Sequence, residues 1–177
     1  MRTLIGRRGI LAAGATLTAA IRPRNSAWAE DMRPLSSIAR LQPPGVLPDL
    51  AFVTLEGARL ALSALRGKPL VLNFWATWCG PCVLELPALD RLAASGVTVV
   101  AASTDHGGAD IVKPFLARHG IGHLRVVLDP GNESTHAAGV VGFPTTLIID
   151  AQGRLRGRLE GPADWSGAAS LIAGIVT

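Results

Sequence analysis

Two cysteines stand in the 177-residue sequence, Cys79 and Cys82, with Gly80 and Pro81 between them. Two thiols at this spacing can close a small disulfide across one turn and reopen it by exchange with another disulfide. Their context matters more than their spacing. They follow a nearly continuous apolar run, Pro69–Trp75, and precede a stretch with helical spacing. A helix start presents unpaired N–H groups and a partial positive charge, which stabilise a thiolate. Cys79 is therefore expected to be the exposed nucleophile, with a depressed pKa. Cys82, one turn inside the helix, is expected to be buried and to resolve the mixed disulfide that Cys79 forms. Pro81 suits a first helical turn, where its missing N–H costs nothing. Other uses of the pair fit less well. A purely structural disulfide would close a tiny loop and add little chain-entropy stabilisation. Two buried free cysteines would not need Gly-Pro between them. A zinc site usually needs four ligands, and the chain has no second cysteine pair.

The apolar run before Cys79 reads as a buried central strand. Pro81–Ala94 reads as the helix, with Leu84, Leu86, Leu89 and Leu92 on its apolar side and Ser95-Gly96 at its end. Pro87 falls inside it and is expected to kink it. Upstream, Ala51–Leu55 and Arg59–Leu62 flank Glu56-Gly57-Ala58, a hairpin signal, and Ser63–Gly67 reads as a short turn. Downstream come a strand over Val97–Ala102, a helix over Asp110–His119 stopped by Gly120, and a strand over Leu124–Leu128. A short helix over Asn132–Gly139 follows. Thr145–Ile149 and Arg154–Leu159 are strands joined by a turn ending in Gly153, and Asp164 is expected to cap a last helix running to about Val176. The alternation of strand and helix predicts a parallel core, with the last two strands as an antiparallel edge.

The net charge of +4 does not imply a nucleic-acid partner. Arg2, Arg7, Arg8, Arg22 and Arg24 lie in residues 1–29, which hold no acidic residue; the remainder carries 12 basic and 13 acidic residues. Arg154, Arg156 and Arg158 are expected to share one strand face as a solvated edge. Gly6-Arg7-Arg8-Gly9-Ile10-Leu11, the uncharged stretch Gly9–Ile21 and Ala27-Trp28-Ala29 look like a twin-arginine signal peptide cleaved after Ala29. A Sec signal is the rival reading, and an uncleaved leader would anchor the chain. No cysteine lies there to take a lipid. Export would put the chain in the periplasm, where thiols tend to be oxidised. Residues 30–48 hold Pro34, Pro43, Pro44 and Pro48 and read as an extended, mobile arm. Residues 49–177 would form the folded domain.

Asn73-Phe74-Trp75-Ala76-Thr77-Trp78-Cys79-Gly80-Pro81-Cys82 resembles the thioredoxin superfamily, specifically its TlpA/ResA-like branch of exported thiol–disulfide oxidoreductases. The resemblance covers roughly residues 45–177. Glu85 and Pro87 complete a Cys-x-x-Cys-x-x-Glu-x-Pro pattern. Gly139–Thr146 resembles the loop with the superfamily's cis-proline, here Pro144 after Phe143, and Leu147–Gly153 matches the strand and turn that follow. Asp164-Trp165 resembles the start of the last helix. The resemblance implies an α/β thioredoxin-like fold: a central mixed sheet flanked by helices, an N-terminal β-hairpin and a central insertion within residues 104–123. It implies that Cys79, Cys82 and Glu85 are catalytic, with Trp78, Gly80, Pro81, Phe143 and Pro144 as the substrate-binding surface. In this branch the glutamate tunes thiol acidity and proton transfer; a buried Glu85 would have a raised pKa, whereas a solvent-facing one would not. Ordinary thioredoxin carries a buried acid at the position of Asn73, which cannot titrate. Trp75 is expected in the core.

Among functions, a periplasmic dithiol reductase is favoured. Gly80-Pro81 matches the dipeptide of thioredoxin, whose potential of about −270 mV lies well below that of DsbA at about −120 mV. The substrates would be exported proteins with disulfides, such as cytochrome or copper-site thiols, and the electron donor a membrane thiol protein. Thr145 stands where the cytochrome-maturation branch often has an acid, which disfavours that role. A copper-binding chaperone is the alternative from another class, and a disulfide oxidase or isomerase is a third. His106, His119, His123 and His136 show no ligand spacing, so no metal or cofactor beyond the Cys79–Cys82 disulfide is expected. With no third cysteine to bridge two copies, a monomer is expected.

Overall fold

Leu70–Trp75 (β5) is the centre of the fold because neither of its faces meets water: all six residues are buried. The computed structural model describes residues 32–176, so the proposed signal peptide lies outside the described residues. Strands Arg33–Pro34 (β1), Ala39–Gly45 (β2), Ala51–Thr54 (β3) and Arg59–Ala61 (β4) precede β5. Gly80–Ala94 (α1), Thr98–Ser103 (β6), Gly108–His119 (α2), Arg125–Leu128 (β7) and Glu133–Ala137 (α3) follow it. Thr145–Ile149 (β8), Leu155–Glu160 (β9), Ala163–Asp164 (β10) and Ala168–Val176 (α4) complete the chain. The main sheet runs β2-β9-β8-β5-β6-β7-β3-β4, and β1 pairs in parallel with β10. The parallel core is β5-β6-β7, as the alternation of elements requires. β8, β9 and the β3–β4 hairpin add antiparallel pairs on its two sides.

Alternate β5 residues point to opposite sides, and each side has its own cover. On one, Val71, Val99 and Ile148 pack with Leu89 and Leu92 of α1 and Ile172 and Ile175 of α4. Farther along the same face, Trp75, Ala101 and Val126 pack with Leu86, Cys82 and α2 residues Val112 and Phe115. On the other side, Leu70, Leu72 and Phe74 meet Leu50, Leu62, Leu147 and Val140. α1 runs unbroken through Pro87, so the proline does not end it. Gly120 stops α2 in the left-handed region, at φ 65°, a conformation that favours glycine.

Four expectations need correction. Residues 30–48 are not wholly a free arm: Ala39–Gly45 is the sheet's edge strand, antiparallel to β9. Pro43 and Pro44 suit an edge, where the missing N–H groups need no partner. Hence β9 is interior, and β8–β9 is not the edge. The three arginines do not share a face either. Between Ile148 and Ile149 the β8–β9 register shifts, Gly157 and Leu155 being the partners, so the alternation breaks at Arg156. Arg156 donates to the Ile175 carbonyl of α4, whereas Arg158 donates to the carbonyls of Ala138 and Gly139 after α3. Finally, Asp164 caps no helix. It lies in β10, its carboxylate accepts from Ser166 N–H at 3.0 Å, and α4 begins only at Ala168.

Candidate active site

Cys79 is the N-cap of α1, with extended backbone at φ −85° and ψ 99°. Its sulfur accepts from the Cys82 N–H at 3.3 Å. The helix's first turn therefore addresses an N–H to the sulfur where negative charge would develop. Cys79 and Cys82 form a disulfide with an S–S distance of 2.06 Å. Cys82 is fully buried, at 0% exposure, while Cys79 retains 7%. Cys79, expected to be exposed, is thus buried as well and is only the less covered of the two, because the helix start and its neighbours close over the disulfide.

The loop that carries Cys79 is held from below. Asp105, two residues past the end of β6, accepts from Thr77 N–H at 2.9 Å and from the Thr77 hydroxyl at 2.6 Å. Its Oδ2 also accepts from the Ser103 hydroxyl at 2.8 Å. Cys79 N–H donates to the Ala76 carbonyl at 3.1 Å, closing the turn. Sequence reasoning passed over Asp105. The available signal was its position: a buried strand ends there, at the same carboxyl edge of the parallel strands as the cysteines.

Trp78 and Phe143 meet above this loop. Their rings are 5.8 Å apart and edge-to-face, at 73°, an arrangement that aromatic pairs favour. Trp78 remains 68% exposed. Phe143 also packs against the apolar cluster that contains both cysteines. The Phe143–Pro144 bond is cis. The Pro144 carbonyl is occupied by Gly161 N–H at 2.8 Å; among the described residues, the backbone N–H and carbonyl of Phe143 have no partner. Gly80 is exposed and Pro81 half-buried beside it. The fold thus brings Trp78, Gly80, Pro81, Phe143 and Pro144 to one end of the molecule. Trp75 lies in the core, as expected.

Glu85 is buried, one turn beyond Cys82 on α1, with 1% exposure. Positions three apart on a helix share a face. Its Oε2 accepts from Ala163 N–H at 3.0 Å and from the Trp165 indole at 3.2 Å. Its Oε1 accepts from Asn73 Nδ2 at 2.8 Å. Burial pushes the carboxyl up to about 7, against the lowering effect of the Ala163, Trp165 and Asn73 hydrogen bonds. The solvent-facing alternative for Glu85 is thereby excluded. Trp165, Ala163 and Thr146 were not identified as part of this site from the sequence. Asp164-Trp165 reads from the sequence only as a helix start.

Among the described residues, no three His, Cys, Asp or Glu side chains cluster as metal ligands. His106 Nδ1 lies 2.9 Å from the Pro130 carbonyl, and His119 stacks on Phe115.

The redoxin family profile matches residues 43–172. The thiol-disulfide oxidoreductase ResA of Bacillus thuringiensis subsp. konkukian is 34% identical over 119 residues, covering 64% of this chain and 67% of ResA. The thiol:disulfide interchange protein HelX of Rhodobacter capsulatus is 38% identical over 96 residues, 54% of each chain. A crystal structure from Chlorobium tepidum, assigned as a thiol:disulfide interchange protein DsbE, superposes with a TM-score of 0.67 at 28% identity. It covers 80% of this chain and 100% of that one. With the cysteine pair at disulfide distance on a helix N-terminus, these likenesses leave one assignment: the chain belongs to the redoxin family and is a thioredoxin-like thiol–disulfide oxidoreductase of the TlpA/ResA type.

Proposed function

We propose that the enzyme runs in the reducing direction, on disulfides of exported proteins, and that a membrane thiol protein supplies its electrons. The observation that carries the exchange is the pairing of Cys79 at the helix N-cap with a buried Cys82 one turn from the buried Glu85; the reducing direction is supported by Gly80-Pro81, the dipeptide of thioredoxin. Two electrons and two protons from the donor dithiol convert the Cys79–Cys82 disulfide to two thiols. The Cys79 thiol gives its proton to water, and the thiolate, held by the first turn of α1, attacks one sulfur of the substrate disulfide while the other leaves as a thiolate and takes up a proton. Cys82 loses its proton to Glu85 and attacks the Cys79 sulfur of the mixed disulfide. That step re-forms the Cys79–Cys82 bond and releases the second substrate thiolate. A carboxyl with a pKa of about 7 can both take and return a proton near neutral pH.

The unpaired backbone of Phe143 supports strand-like pairing with an extended substrate segment around its cysteine. Trp78 and Phe143 would form the apolar floor beneath it. The chemistry needs no metal or organic cofactor. The twin-arginine pattern of residues 1–29 supports a periplasmic location, and the chain would act as a monomer. Among the described residues, no helix is long and apolar enough to cross a membrane. An uncleaved leader would tether the chain to the membrane.

Cys82→Ser tests the exchange through Cys79 on exported proteins, and the redox potential tests its direction. The variant keeps the nucleophile but cannot resolve, so mixed disulfides with true substrates should accumulate on Cys79. Their recovery from the exported fraction is the expected result. A folded variant that yields no adducts would overturn the proposal. The redox potential decides independently: a value near the strongly oxidising end of the scale would make the protein a disulfide donor.

A further inference from the structure

The hydrogen bonds around Glu85 are all of one sense. Asn73 Nδ2, Ala163 N–H and Trp165 Nε1–H all donate to its two oxygens. A carboxylate is fully matched by three donors; a carboxylic acid also carries a hydroxyl that needs an acceptor, and in this arrangement none of the three neighbours offers one. The backbone N–H and the indole N–H can only donate. The Asn73 amide differs, since a half-turn exchanges its NH2 for its oxygen.

Two observations favour this half-turn. Asn73 Oδ1 is buried and has no hydrogen-bond partner. Turning the amide trades one unpartnered polar group for another and leaves their number unchanged. The second neighbour of Asn73 can follow: Nδ2 donates to Thr146 Oγ1 at 3.0 Å, and a hydroxyl donates as well as it accepts. Asn73 and Thr146 are register partners on β5 and β8, so the sheet holds their backbones in place whichever way the side chains turn.

We propose that Asn73 is a positioning residue whose amide reverses with the proton on Glu85, offering NH2 to the carboxylate and its oxygen to the carboxylic acid, while the Thr146 hydroxyl turns to follow. The inference rests on Glu85 as the proton-transfer group of the exchange. When Cys82 gives up its proton and attacks, Glu85 receives that proton and its new O–H finds an acceptor in Asn73. When the proton returns to Cys82, the amide turns back. No atom is gained or lost at Asn73, and because the amide never ionises it does not compete for the proton. The groups that meet the Glu85 carboxyl are the uncharged Asn73, Ala163 and Trp165, with Thr146 behind Asn73; Cys82 precedes it on α1. Burial and hydrogen bonds, with no neighbouring charge, account for its shifted titration. Asp164, next to Ala163, is exposed.

Isotope-edited NMR on the oxidised full chain tests this, because the disulfide leaves neither cysteine able to titrate. The Glu85 carboxyl carbon and the Asn73 side-chain amide are followed together from pH 5 to 9. As pH falls through about 7, the Asn73 amide protons should shift upfield with the same midpoint as the Glu85 carbon. Their cross-relaxation with Thr146 should be lost on the acid side. Glu85→Gln, neutral at every pH, should hold the amide in its acid-side state throughout. If Glu85 titrates while the Asn73 amide and its contact with Thr146 stay unchanged, the reversing amide is wrong and Glu85 keeps its role. If the Glu85 carbon does not titrate in this range, both readings fall.

Discussion

Replacing Glu85 by Gln should make the folded protein more stable at alkaline pH and leave it nearly unchanged at acid pH. The carboxyl's pKa is about 7 in the fold against an ordinary value of 4.5. Below 4.5 both folded and unfolded states carry the proton, and burial costs nothing extra. Between the two values the folded state binds more protons than the unfolded one, so stability falls as pH rises. Above about 7 the whole cost stands. At 1.36 kcal/mol per pH unit, it is about 3 kcal/mol. Glutamine has nearly the same shape and no proton to lose. Its oxygen can accept from Ala163 and Trp165, and its NH2 faces Asn73. The assay is urea unfolding of the oxidised protein and of Glu85→Gln between pH 4.5 and 8.5, followed by tryptophan fluorescence. With a urea dependence of roughly 1–3 kcal/mol per molar, the variant's midpoint should exceed that of the wild type by about 1–3 M at pH 8.5 and coincide with it at pH 4.5. Two curves that run parallel across this range would refute the linkage between burial and proton affinity.

Other consequences follow from the packing. Asp105→Ala removes the acceptor of Thr77 N–H, the Thr77 hydroxyl and the Ser103 hydroxyl; it should cost about 1–3 kcal/mol in urea unfolding and slow disulfide exchange by loosening the loop before Cys79. Trp78→Ala alters an exposed side chain, so stability should change by less than about 0.5 kcal/mol. Turnover of protein disulfides should fall several-fold while reaction with a small dithiol is kept; equal losses on both would place Trp78 in the chemistry itself. Gly157→Val would bring a Cβ within 2.8 Å of Ile38 Cγ2, where the segment before β2 crosses β9. It should destabilise by about 1–3 kcal/mol, and an unchanged urea midpoint would show that this crossing is not tightly packed.

Much of the site was legible because the reactive unit is local. A buried strand, a turn with two cysteines and a helix start occupy neighbouring residues. Their physics depends on one helical turn: unpaired N–H groups, a proline where no N–H is needed, and a sulfur at the cap. The central strands were legible because β5, covered on both faces, reads as an unbroken apolar run. The loop with Phe143 and Pro144 was identified from its resemblance, and the fold then placed it against the cysteines.

What lay beyond the sequence has a common cause, which is separation along the chain. Residues 39–45 carry two prolines and little periodicity, and locally that signals a loop. Only the exposed backbone edge of β9 makes the same residues a strand. Arg156 and Arg158 alternate on paper, but the shifted register of β8 and β9 turns them to different helices. The proton affinity of Glu85 depends on groups 12, 78 and 80 residues away. The sequence by itself determined the thiol chemistry, its place at a helix start and the alternation that builds the parallel core, since each follows from contacts within a few residues. The tertiary structure alone decided which strand forms the edge, which carboxylate holds the loop before Cys79 and how tightly Glu85 keeps its proton. Those properties depend on burial and on partners that meet only when the sheet closes.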